Sequence, residues 1–346
     1  MSHWKHWEDD RSAISRQLGS VEQIGPFRYP DLHDGSYLML ASDYSGEHAH
    51  PEFRVLSFLL TTYNSVMTGW EPLRSAVRRR HLADGRRMSF KDLNDALRIN
   101  ALPTFLDAAG QLNGVLICVG VEKTYSLPQD HLPPLEHNWK PDLLEKLLEV
   151  CAFGAALVDG LRSTGQNLHW ITDDDAIVST ENAQRDAMRL FGGLMHTYPT
   201  ESPQFRLGIA SKFDDDRLAE DLVAIPDLAA GAFSEMLTTT GKSNIPTLGS
   251  GLSTERLFLA IKSTIINAWR SQIDTPLKHF HVLVRAAERG HTSFSFGIPF
   301  VGMPRQDDVP EDAPKVNSKW RRALEAYLES QGIDTDEVLK SMGIDI

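Results

Sequence analysis

The 346-residue chain carries 35 basic and 47 acidic side chains, a formal net charge of −12, with 41% hydrophobic and 24% charged residues. That composition excludes wholesale disorder and supplies apolar material for a substantial core, in one large domain or two ordinary ones. Two cysteines, Cys118 and Cys151, exclude a disulfide scaffold and a thiolate zinc cluster, and both lie in apolar runs that suit buried free thiols.

No apolar stretch approaches the roughly 18 residues needed to span a bilayer. Met1 to Arg11 is polar and aromatic rather than a basic flank leading into an apolar run, so a cytoplasmic, non-membrane protein is expected. The acidic balance argues against a surface given over to phosphate binding. Contact with DNA or RNA would have to be local, at the basic cluster Arg74, Arg78, Arg79, Arg80, Arg86 and Arg87.

In chain order, residues 1–35 read as a lead-in with one short helix. Tyr37 to Ser42 is a short apolar run predicting a strand, Asp43 to Gly46 a turn, and Phe53 to Thr62 a second strand rich in β-branched and aromatic residues. A helix over Trp70 to Arg80 carries the arginines. A third strand is expected near Arg86 to Phe90, and Leu93 to Leu112 has helical spacing interrupted by Pro103. Gly114 to Val121 is a continuous apolar strand. Pro141 opens a long helix over Asp142 to Leu161, where a missing amide donor costs nothing. Leu168 to Thr172 predicts a strand ending in Asp173-Asp174-Asp175, followed by a helix over Glu181 to Met195, a strand over Phe205 to Ala210 and a small-residue helix over Asp227 to Leu237.

Thr238 to Asn244 is turn material and sets a boundary between a core over 36–240 and a C-terminal α/β extension over 241–346. That extension is expected to hold a helix over Ser253 to Arg270 and strands over His279 to Arg285 and Thr292 to Ile298. A Pro- and Asp-rich linker at 303–316 and two terminal helices complete it. The terminal helix with Trp320, Leu324, Tyr327 and Leu328 offers a face for internal packing or for a protein partner. The whole reads as α/β.

Three carboxylates stand where chemistry would want them: Asp43 and Asp173 after strands, and Asp227 at a helix start. Ligand sites of open α/β sheets lie at the carboxyl ends of strands. Converging aspartates repel one another unless a cation joins them. The alternatives are ordinary: aspartate favours turns, and at a helix start it complements the dipole. Asp227, Ala230, Gly231 and Ser234 share one helix face of small side chains, which permits close approach to a sheet.

Asp43-Tyr44-Ser45-Gly46, then Trp170-Ile171-Thr172-Asp173 after a long helix, then Pro226-Asp227-Leu228-Ala229-Ala230-Gly231-Ala232 together resemble the RNase H-like superfamily. More narrowly they are similar to an uncharacterised bacterial family of RNase H-like proteins with an Asp-Glu-Ser-Gly first-strand motif and an Ala-Asp-Leu-Ile-Ala-Gly helix motif. The likeness covers roughly residues 36–238. It implies an RNase H-like mixed sheet flanked by helices and a nuclease site in which Asp43, Asp173 and Asp227, with Asp175 as substitute for Asp173, bind Mg²⁺ or Mn²⁺ and hydrolyse a phosphodiester. It also implies an association with phage defence or mobile elements.

Two positions depart from the pattern: Tyr44 stands for the usual second acid, and Pro226 for a small residue. A catalytically silent binding or assembly subunit on the same fold is the rival expectation. Lys91 matches a basic position of the family and is either a phosphate contact or a solvent lysine; Lys212 has a similar claim. His48 and His50 beside Glu47 could ligate zinc or be simple surface residues. Asp214-Asp215-Asp216 reads as a solvated loop, and neither a phosphate-binding Gly-x4-Gly-Lys-Ser/Thr loop nor a Gly-x-Ser-x-Gly elbow is present.

Overall fold

The structure is a computed structural model, and it describes residues 3–5, 13–23, 27–45, 52–127, 129, 132–195, 204–213, 216–240, 254–272, 274–286 and 292–297. His48, His50, Glu47, Asp214, Asp215, the 303–316 linker and the terminal helices fall outside the described residues.

Seven strands form one mixed sheet: β1 (Tyr37–Ser45), β2 (Phe53–Thr62), β3 (Gly114–Glu122), β4 (Asn167–Thr172), β5 (Phe205–Ile209), β6 (Leu277–Ala286) and β7 (Thr292–Gly297). Their order across the sheet is β5-β4-β1-β2-β3-β6-β7. β1, β2 and β3 are successively antiparallel, β4 joins β1 and β5 joins β4 in parallel, β6 joins β3 in parallel, and β7 closes the far side antiparallel. The α/β class is as the sequence indicates. The segment expected as a C-terminal extension thus contributes two strands to the same sheet.

Helices cover both faces. The pleat sends Met39, Ala41, Val55, Leu59, Leu116 and Cys118 into one core, beneath α2 (Glu71–His81), α3 (Ala96–Ala109), α6 (Leu218–Thr240) and α7 (Thr254–Arg270). Leu38, Leu40, Leu56, Phe58, Val115 and Ile117 enter the other, beneath α1 (Ala13–Ser20), α4 (Pro141–Leu161) and α5 (Glu181–Leu194). Burial on both faces explains why β2 and β3 read as continuous apolar runs rather than alternating ones. Pro141 opens α4 as its fixed φ favours, and Thr180 and Asp95 cap α5 and α3 by accepting from Ala183 N (3.2 Å) and Arg98 N (2.9 Å). Among the described residues no helix is long and apolar enough to cross a membrane.

Three local expectations are corrected. Asp43 lies inside β1, which runs on to Ser45 and pairs Asp43 with Ser57, rather than in a turn after the strand. Arg86 to Phe90 is a loop. Its backbone groups are satisfied by side chains instead of a strand partner: Arg98 Nε donates to Arg87 O (2.7 Å), Lys262 Nζ to Phe90 O (2.8 Å), and Phe90 N donates to Asp227 (2.8 Å). Finally, α6 begins at Leu218, so Pro226 and Asp227 are interior. The buried apolar run Leu222 to Ile225 outweighs the proline, which forfeits the amide bond to the Leu222 carbonyl. Asp227 therefore cannot be a helix-start carboxylate.

Gly231 sits where α6 meets Phe90: a Cβ added there would lie 2.2 Å from Phe90 Cγ, against open space at Gly193 in α5. Gly231→Ala should therefore destabilise by about 1–3 kcal/mol, while Gly193→Ala should stabilise by roughly 0.5–1 kcal/mol. Urea denaturation of the two variants beside wild type checks the opposite signs.

Candidate functional site

β1 carries Asp43 on the face covered by α6, two residues beyond Ala41 in the same pleat. β4 ends at Thr172 and delivers Asp173 and Asp175 at the neighbouring strand end. α6, packed across β1, β2 and β3, brings Asp227 to the same place from above. The electrostatics record the meeting. Asp43 is held well above the usual carboxylate range, first by desolvation and then by the charges of Asp227, Asp173 and Asp175, with Lys146 opposing. Its carboxylate accepts no hydrogen bond among the described residues. Asp227 is also raised by burial, against the opposing pull of the Phe90 amide, the Ser89 hydroxyl and Arg87.

The other two acids have basic partners. Asp173 pairs through Oδ2 with Arg87, leaving a buried Oδ1 with no hydrogen-bond partner among the described residues. Asp175 takes Lys146 of α4 (2.7 Å) and caps the short turn Ala176–Val178 by accepting from Ile177 N (3.0 Å). Its role is thus largely structural. Among the described residues no three Asp, Glu, His or Cys side chains are arranged to hold a metal ion. Four carboxylates share one locale, but Arg87 and Lys146 partly neutralise it.

Tyr44, in place of a second acid, points to the opposite face, its hydroxyl 2.8 Å from Ser42 Oγ and 3.4 Å from Thr172 Oγ1, with Lys146 Nζ 4.8 Å over its ring. The lysine beside Asp227 is Lys262 of α7, not Lys91. Lys262 is buried, 4.1 Å from the Phe90 ring centroid, and its pKa is lowered by burial against the charges of Asp227, Glu235 and Asp92. Lys91 is exposed in the turn that follows, and Lys212 is exposed in the turn Ala210–Lys212; neither makes an ion pair among the described residues. Lys262 escaped the sequence reading because it lies beyond the boundary drawn at residue 240.

The arginine cluster divides. Arg74 and Arg78 are buried and converge on Asp221 of α6, at 2.8 Å for Arg74 Nη1 and 2.5 Å for Arg78 Nε. Arg78 is therefore withdrawn from any exposed track: a buried carboxylate demands its charge. Arg86 pairs with Asp84 and Asp95. Arg79 and Arg80 stay exposed, and Arg79 lines a cleft of ≈ 330 Å³ with Ser75, Gly85 and Arg217. A larger cleft, ≈ 630 Å³, opens at the other end of β1 around Tyr37, Tyr63 and Gln166, away from the acids.

No protein-family model matches the chain, and no curated protein matches it.

Because the fold raises the pKa of Asp43 above its unfolded value, it favours the protonated form. The cost of the ionised carboxylate is absent below the unfolded pKa, near 4, and grows as pH rises through the folded value. Asp43→Asn should accordingly raise the melting temperature at pH 7 by roughly a few degrees, with the gap closing towards pH 4. Thermal melts across that range measure it. Asp221→Ala should cost about 3–5 kcal/mol by removing the buried carboxylate that Arg74 and Arg78 share, read from denaturant midpoints.

Proposed function

We propose that the protein is a metal-dependent nuclease with an RNase H-like core, hydrolysing phosphodiester bonds of DNA or RNA. The observation that carries this reading is the convergence of aspartate charges from two distant chain segments, Asp173 with Asp175 and Asp227, upon Asp43 at the carboxyl ends of β1 and β4. A fold stabilised only for its own sake gains nothing from crowding carboxylates in a desolvated corner. Three antiparallel strands followed by strand–helix alternation support the RNase H-like assignment.

The donor set fits a hard cation: every candidate ligand is a carboxylate oxygen, and the buried Oδ1 of Asp173 lacks a hydrogen-bond partner among the described residues. Asp43, Asp173 and Asp227 would hold Mg²⁺ or Mn²⁺, which supplies Lewis acidity and acidifies water when bound. Asp43 would serve as a ligand of that ion, whose positive charge offsets the burial and carboxylate repulsion that raise its pKa. Arg87 and Lys262 supply positive charge for a phosphoryl oxygen. Arg87, which now pairs with Asp173, would turn to a substrate phosphate oxygen, leaving the Asp173 carboxylate among the groups that would hold the ion. Arg79 and Arg80 offer contacts to the flanking backbone.

The rival is a catalytically silent binding or assembly subunit. It is favoured by the ion pairs that already occupy Asp173 and Asp175 and by the absence of a three-ligand group among the described residues.

Cleavage assays on single- and double-stranded DNA and RNA, with Mg²⁺ and Mn²⁺ titrated by calorimetry, separate the two. The nuclease reading expects metal-dependent cleavage reduced about 10²–10⁴-fold by Asp43→Asn. Absence of both metal binding and cleavage assigns the silent role. Arg79→Ala and Arg80→Ala should each lower the salt dependence of oligonucleotide binding by about one charge, measured by anisotropy.

A further inference from the structure

Away from the acids, beneath the end of α7, buried polar atoms without partners are concentrated in one place. Arg270 is 1% exposed, and among the described residues only its Nη1 is engaged, donating to Asn267 Oδ1 at 3.2 Å. Among the described residues its Nε and Nη2 have no hydrogen-bond partner, nor does either ring nitrogen of His279, Nδ1 of His281 or Nε1 of Trp269. The groups are neighbours. The Trp269 and His279 rings are 4.7 Å apart, His281 lies 5.0 Å from Phe233, and Arg270 Cζ is 5.5 Å from the same Phe233 ring. Arg270 pairs with no carboxylate among the described residues.

A guanidinium in such a position gives up its hydration for one hydrogen bond to Asn267 and the face of the Phe233 ring. The two free nitrogens, Nε and Nη2, form the side edge of the guanidinium fork, which meets two oxygens of one oxyanion in parallel. Both imidazoles are held neutral by burial first and Arg270 second, His281 at about 4, so each keeps one N–H to donate and Arg270 alone supplies full charge. Cation binding is disfavoured by that charge.

We infer that Arg270, His279, His281 and Trp269 form an enclosed receptor for one small oxyanion, a carboxylate or phosphate. The receptor lies between α6, α7 and β6 and is independent of the hydrolytic reading. Its donors outnumber its acceptors, and its burial restricts it to ligands of a few heavy atoms.

The full chain, unfolded in urea and refolded in chloride to strip a retained anion, is titrated with formate and with inorganic phosphate at matched ionic strength, beside Arg270→Met. A saturable rise in melting temperature of about 3 °C or more in wild type, absent from Arg270→Met, supports the receptor. The anion that saturates at lower concentration identifies its class. A non-saturating rise equal in both proteins is general salting and overturns it. So does Arg270→Met remaining the more stable protein at the highest formate and phosphate, the behaviour of a buried charge with no ligand. Should Arg270→Met not fold, His281→Phe replaces it, with the same saturable rise expected to be lost or weakened at least tenfold in midpoint concentration.

Discussion

The carboxylate of Asp227 accepting the amide of Phe90 is the contact on which the arrangement around the site depends. The chain between α2 and α3 has no strand to pair with, so its polar backbone must be answered by side chains. Asp227 answers from α6, Lys262 from α7 and Arg98 from α3. That loop in turn carries Arg87 to Asp173 and seats Phe90 against Gly231. This carboxylate fixes the loop to α6, the loop's own contacts reach α7 and the end of β4, and the raised pKa of Asp227 is the cost of placing it there.

The strands and helices were legible where their pattern is local. Phe53 to Thr62 and Gly114 to Val121 are apolar throughout because both faces are covered, and the Pro141 helix announces its own start. The errors have a common cause. Arg86 to Phe90 has the composition of a strand, yet its hydrogen-bond partners come from residues as distant as Lys262. Pro226 reads as a helix start, yet the preceding turn packs so completely that the helix continues through it. Tertiary contacts decided both, and no short window contains them.

The site was legible in part. Spacing could nominate Asp43, Asp173 and Asp227, and the fold does bring their charges together. It could not foresee that Arg87, named only as one of a basic cluster, would face Asp173, or that Arg78 would turn inward to Asp221. Nor could it separate Lys91, exposed, from Lys262, buried beside Asp227. Each of these depends on which side of a helix meets which neighbour, information that long-range packing alone supplies.

The parallel pairing of β6 with β3 has a consequence for where this molecule could be divided. Between β2 and β6, β3 is an inner strand, apolar on both sides. A polypeptide trimmed before α7 would turn that strand into a long, uncharged border with unanswered amides, inviting intermolecular aggregation. Evolution could accordingly vary or lose material outside the seven-stranded unit far more freely than it could discard β6. β6 and β7 supply protection for the strands before them as much as any activity of their own.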